Sequence, residues 1–149
     1  MPDTSTAYLL GRFVFELDRT ADGLLQAQVG ISYRRFLFLT VLQHQGTVTQ
    51  HELAVALSYS DPAVSTMLVE LAREGYLQVT QSMQHGRKRL VTITPQGGEV
   101  VARGRQLLDA QFDQLMALAG VESQQLHDIT MRLYQALVSK MAKRKREDP

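Results

Sequence analysis

A polar stripe on one short segment and a run of three cations are the residues of this chain with chemistry to offer. Projected as a helix, Asp61 to Glu74 sets Pro62, Ser65, Thr66, Val69 and Arg73 on one side. Val64, Met67, Leu68 and Leu71 fall on the other. Hydroxyls such as those of Ser65 and Thr66 bond to base edges or phosphates, and Pro62 and Val69 suit a thymine methyl. Arg87-Lys88-Arg89 follow on a polar stretch, and clustered cations favour the negative potential of a minor groove. With Ser60 just ahead of the helix, the candidate nucleic-acid contacts are Ser60, Pro62, Ser65, Thr66, Val69, Arg73, Arg87, Lys88 and Arg89. Plainer uses exist for the same residues. Hydroxyls commonly face solvent on a helix, and a cationic run keeps an edge strand from pairing with other chains.

Other chemistry is poorly served. There is no cysteine, so disulfides, thiolate metal sites and thiol nucleophiles are excluded. His44, His51, His85 and His127 are scattered without metal-ligand spacing. No Ser-His-Asp arrangement, phosphate loop or spaced carboxylate pair stands in the chain. The expectation is a protein that is not an enzyme and holds neither metal nor cofactor.

The elements that must position the stripe can be read in order. Apolar residues from Ala7 to Ala27 recur at three- and four-residue spacings, which predicts an amphipathic helix. Ser32 caps a second helix to Gln45, dense in apolar groups and closed by Gly46. Thr49-Gln50-His51-Glu52 has capping-box form ahead of a short helix through Leu57. Asp61 as cap and Pro62 as first helical residue start the next helix, which ends at Gly75. Two short helices joined so tightly make a helix-turn-helix. Tyr76–Gln81 and Arg89–Thr94 alternate as strands around Gln84-His85-Gly86, giving a hairpin wing. Long helices are expected from Pro95 to Ala119 and from Gln124 to Lys143.

The fold class is therefore mainly α with a small β-hairpin, a winged helix-turn-helix flanked by long terminal helices. One domain spans 1–149, with the winged lobe at 32–94 and dimerisation helices at 7–28 and 95–143. At 44% hydrophobic and 21% charged, the composition is that of a globular protein. No apolar stretch is long enough for a membrane span, and Met1-Pro2-Asp3-Thr4 lacks a secretory n-region, so a cytoplasmic location with no membrane partner is expected. The second helix of a helix-turn-helix fits the major groove of duplex DNA. Charge argues for two copies: residues 61–93 hold Arg73, Arg87, Lys88 and Arg89 against Asp61, Glu70 and Glu74, a balance of only +1. Phosphate contacts supply most DNA affinity, so one lobe binds weakly and two bind usefully. The last helix, with Leu126, Ile129, Leu133, Leu137 and Met141 in a stripe, offers a face for a twofold mate. The basic end, Lys140 and Lys143 to Arg146, suits the negative pole of that helix. The competing reading is a winged-helix module that binds protein, which the acidic residues around Arg73 favour.

Several strings in this order resemble the MarR (multiple antibiotic resistance regulator) family over nearly the whole chain. They are Gly30-Ile31-Ser32, Val48-Thr49-Gln50-His51-Glu52-Leu53-Ala54, Pro62-Ala63-Val64-Ser65, and Ile93-Thr94-Pro95-Gln96-Gly97. The resemblance implies a homodimeric transcription regulator, usually a repressor, on a pseudo-palindromic operator. It also implies control by a small aromatic or phenolic effector, with Phe13, Leu17, Tyr33 and Phe36 as its surroundings. Two departures stand out. His85 replaces the family's wing aspartate, and a protonated histidine there repels Arg87. Thr66 stands where the family often has a base-reading arginine.

Overall fold

The computed structural model describes residues 5–82, 84 and 88–147. Helix α1 (Thr6–Gln28) starts where the Ser5 hydroxyl accepts the Tyr8 amide. Gly30, at φ 79°, lets the chain reverse into α2 (Tyr33–Gln45), which Ser32 caps. Gly46, at φ 77°, closes α2; a positive φ is cheap only for a residue without Cβ. Then come β1 (Val48–Thr49), α3 (Gln50–Leu57), α4 (Asp61–Arg73), β2 (Leu77–Gln81), β3 (Arg89–Ile93), α5 (Pro95–Ala119) and α6 (Ser123–Glu147). The strands form one antiparallel sheet in the order β1-β3-β2, with Val79 opposite Val91 and Gln81 opposite Arg89.

The chain divides into two compact units, Met1–Leu108 and Asp109–Pro149. The core of the first gathers Leu25, Phe36, Phe38, Leu39, Leu42, Leu53, Val64, Leu71, Leu77, Val91 and Val101. Gly104 makes one of its contacts possible: a Cβ there would lie 2.5 Å from Phe36 Cε2, so the Phe36 ring of α2 lies directly on the α5 backbone. In the second unit, Gly120 at φ 63° ends α5, and the Val121 amide donates to Met116 O. Along α6, Ile129, Leu133, Tyr134, Leu137, Val138 and Met141 are exposed. No helix among the described residues is long and apolar enough to cross a membrane.

Three local findings differ from the sequence reading. Ser60, not Asp61, caps α4: its hydroxyl accepts the Ala63 amide at 3.3 Å, and Asp61 and Pro62 lie inside the first turn. Serine and aspartate cap about equally well, so type alone did not separate two adjacent candidates. Val48–Thr49 adds a third strand, too short to show an alternation. The last helix continues past Lys143 to Glu147, because nothing in its basic end breaks a helix.

The capping box of α3 forms as its spacing requires. Glu52 N donates to Thr49 Oγ1 at 3.2 Å, and Thr49 N donates to Glu52 Oε2 at 2.7 Å. The backbone bond, then the hydroxyl bond, holds the Glu52 carboxyl below its ordinary value of 4.5. A carboxyl lowered on folding stabilises above its unfolded pKa, and that contribution fades as pH falls through the folded value. We expect Glu52→Gln to lower the urea midpoint at neutral pH. The gap from the parent should narrow steadily between about pH 5 and pH 3. A gap of constant size across that range would show that the Glu52 charge is not what the cap uses.

Candidate nucleic-acid interface

Helix α4 sits on the core through Val64, Met67, Leu68 and Leu71, all buried. Its opposite side therefore has to face out. Pro62, Thr66, Val69 and Arg73 are exposed there and Ser65 is half-buried. Val69 is 63% exposed, a large apolar group left in water in the middle of the stripe. Ser58, at φ 55°, makes the tight turn from α3, and its amide donates to Val55 O.

The hydroxyls differ in what they have left to give. Thr66 Oγ1 donates to Pro62 O at 3.1 Å, so its proton is used inside the helix and its lone pairs remain to accept from a base amino group. Ser60 Oγ accepts from the Ala63 amide and keeps its proton. Ser65 opens onto a groove of about 290 Å³ between α4 and the sheet, lined also by Gln50, Leu68, Val69, Ala72, Val79 and Arg89. Arg89, opposite Gln81 at the start of β3, lies on the groove side of the sheet with Val79 and Val91. Lys88 is exposed beside it, and its charge acts on Glu52 at the start of α3. Arg87 and His85 lie outside the described residues.

The structure brings Ser65, Val69 and Arg89 to one groove, and Pro62, Thr66 and Arg73 to the stripe beside it. It also changes the charge balance of this surface. Of the three carboxylates of this segment, Glu74 is bound by Arg35 of α2 at 2.5 Å, and Asp61 Oδ1 stands 3.6 Å from His51 Nδ1. His51 balances Asp61 only when protonated, and Glu70 is exposed without a partner among the described ion pairs. With Glu74 paired to Arg35, a duplex meets one negative charge fewer than the sequence count implies.

The four effector candidates fall in two places. Phe36 is 5% exposed and packs on Gly104 and Leu25. Tyr33 is half-buried, its ring stacked on Phe36 with centroids 6.4 Å apart. Burial, then the neighbouring Asp18 carboxylate, pushes the Tyr33 phenol up. On α1, Phe13 is exposed and Leu17 half-buried.

Sequence reasoning missed Gln50 in the groove and the two arginines behind α4. Arg35 and its carboxylate partner are 39 positions apart, and the Arg34 guanidinium lies 4.7 Å over the Tyr59 ring. No local pattern links residues so far apart along the chain.

Comparison with known proteins accords with this geometry. Residues 29–88 match the sequence model of the MarR family. The uncharacterized HTH-type transcriptional regulator YdcH of Bacillus subtilis (strain 168) is 26% identical over 127 residues, covering 83% of this chain and 85% of that protein. Among solved structures, wild-type MarR from E. coli in its apo form is similar with a TM-score of 0.76 at 20% identity, over 92% of this chain and 99% of that one. The S. aureus MepR–DNA complex gives a TM-score of 0.74 at 24% identity, over 92% and 99%. At such identities the structural likeness speaks for the fold. The chain thus has a winged-helix fold, and its segment 29–88 is similar to the MarR family.

Proposed function

We propose that the chain is a DNA-binding transcription regulator that acts as a homodimer, as a repressor, on a pseudo-palindromic operator. The observation that carries this is α4 itself. Its buried residues fix it to the core, and Pro62, Thr66, Val69 and Arg73 stand clear on the far side beside Arg89 and Lys88. A helix so mounted can enter a major groove while the wing lies along the backbone. Thr66 and Ser65 read base edges, Val69 and Pro62 meet thymine methyls, and Ser60, Arg73, Arg87, Lys88 and Arg89 bind phosphates or the minor groove. The exposed apolar residues of α1 and α6 are the faces that join two chains. The effector of this reading is a small aromatic or phenolic compound seated by Phe13, Leu17 and Tyr33, with Phe36 beneath. The stacked Tyr33 and Phe36 rings, with Tyr33 the more exposed of the two, are the aromatic surface this reading offers such a compound.

A salt titration on duplex DNA tests the reading. Each phosphate contact steepens the fall of log affinity with log salt by about 0.9. Arg89→Ala should make that slope shallower by about one per chain and weaken binding to all sequences alike. Thr66→Ala should instead change which sequence is preferred. A parent protein whose affinity is flat in salt would point to a protein partner in place of DNA.

A further inference from the structure

The first turn of α2 reaches three ways, and two of its arms end at opposite ends of α4. We infer that Arg34 and Arg35 are positioning residues that set the attitude of α4 toward DNA. This rests on the reading of α4 as the helix that enters the groove. Arg34 lays its guanidinium over the ring of Tyr59 at 4.7 Å, and Tyr59 immediately precedes the Ser60 cap. Arg35 donates to Glu74, the C-cap of the same helix, at 2.5 Å. Thus neighbouring residues of one helix hold the entry and the exit of another.

The exit is held from a further side. Thr94 Oγ1 donates to Gly75 O at 2.6 Å, and Gln96 Nε2 donates to Glu74 O at 3.4 Å. The turn after α4 is therefore tied to both α2 and the start of α5. The same turn of α2 is anchored on α1, since Asp22 Oδ1 accepts the Tyr33 amide at 2.8 Å. A shift of α1 that carries Tyr33 with it displaces Arg34 and Arg35 together, and so moves both ends of α4 at once.

Stability alone does not account for Arg35. Its Nε is buried with no hydrogen-bond partner, and a buried donor left unmade opposes folding. The ion pair is partly open to water, its side chains 21% and 38% exposed, so Glu74 keeps part of its hydration when Arg35 is removed and the pair contributes little to stability. A methionine would fill the same space between α2 and α4. What it would lack is a directional bond to the end of α4.

That contrast supplies the test. An operator is first selected from a random duplex pool with the parent protein, and binding is then measured on it and on a scrambled duplex of equal length. Arg35→Met should melt close to the parent, yet its preference for operator over scrambled duplex should fall about tenfold, the worth of one well-placed base contact. Arg35→Lys restores the preference, because the contact to Glu74 is single and an ammonium can make it. Glu74→Gln, which leaves Arg35 in place and weakens the bond, should fall between. Arg34→Met, which removes the cation from Tyr59, should lower the preference as well. An unchanged preference in Arg35→Met and Glu74→Gln overturns the inference. A loss in Arg35→Met that Arg35→Lys does not restore overturns it too. A parent that shows no preference for any duplex sinks the DNA reading itself, a different result from either of these.

Discussion

On the proposed reading of α6 as the pairing face, Leu133→Glu together with Leu137→Glu will leave single chains and weaken operator binding by at least about a hundredfold. Both leucines lie on α6 and are more than half exposed, at 58% and 56%. Ile129 and Met141 continue the stripe on either side, and Tyr134 and Val138 border it, all exposed. Burying a leucine contributes about 1.5–3 kcal/mol, and an unpaired carboxylate in its place costs several more. The loss on DNA follows from the charge of one lobe. A single lobe, with a balance of +1 over residues 61–93, falls back on the weak affinity of non-specific contacts, with Kd about 10⁻⁴–10⁻⁶ M. Specific complexes reach about 10⁻⁸ M or better. Sedimentation equilibrium and gel shifts on one preparation read both effects, with circular dichroism to show that α6 still forms. A variant that stays paired and binds as the parent does would remove α6 from the interface.

Gly97→Ala carries the largest expected cost to folding, about 3 kcal/mol. A Cβ at Gly97 would lie 2.1 Å from the Tyr76 carbonyl oxygen and 2.8 Å from Ile93 Cγ1. The carbonyl cannot swing aside, because it accepts the Thr94 amide at 3.1 Å. Nor can the first turn of α5 easily retreat, since Thr94 Oγ1 both accepts the Gly97 amide and donates to Gly75 O. The chain must separate α5 from the β2 end of the sheet or strain its backbone. In a protein of this size we expect melting to fall by ~10 °C, measured at one protein concentration for variant and parent. Gly98→Ala is the control: its nearest neighbour is Gln43 Nε2 at 3.6 Å, an ordinary contact, so it should melt close to the parent. Equal effects at the two glycines would contradict the packing described for Gly97.

Much of the scaffold was legible because short-range rules write it. The Thr49–Glu52 cap, the glycine after α2 and the threonine-proline start of α5 each depend on residues within a few positions of one another. The buried side of α4 was legible for a similar reason: Val64, Met67, Leu68 and Leu71 repeat at helical spacing. The exposed stripe followed as its complement. The ambiguities were local as well. Ser60 and Asp61 are both good caps side by side, and Val48–Thr49 is a strand only because Val91 and Leu90 lie opposite it.

What periodicity could not show are contacts between distant positions. The acidic residues near Arg73 weighed against DNA in the sequence, yet Glu74 turns out to be occupied by Arg35. Thr66 offered a hydroxyl to base edges or phosphates, and its proton is spent on Pro62 O. Gly97 looked like a family string with no evident task, and its task is the approach to Tyr76. In each case the residue type was plain and the partner was not.

Hydroxyl-radical footprinting of the selected operator asks the central question directly. Two chains that present their α4 helices to one face of a duplex should protect two patches, centred about 10 base pairs apart and related by a twofold axis, with two chains per duplex. A single protected patch, or two patches at a spacing that is no multiple of the helical turn, would contradict the account.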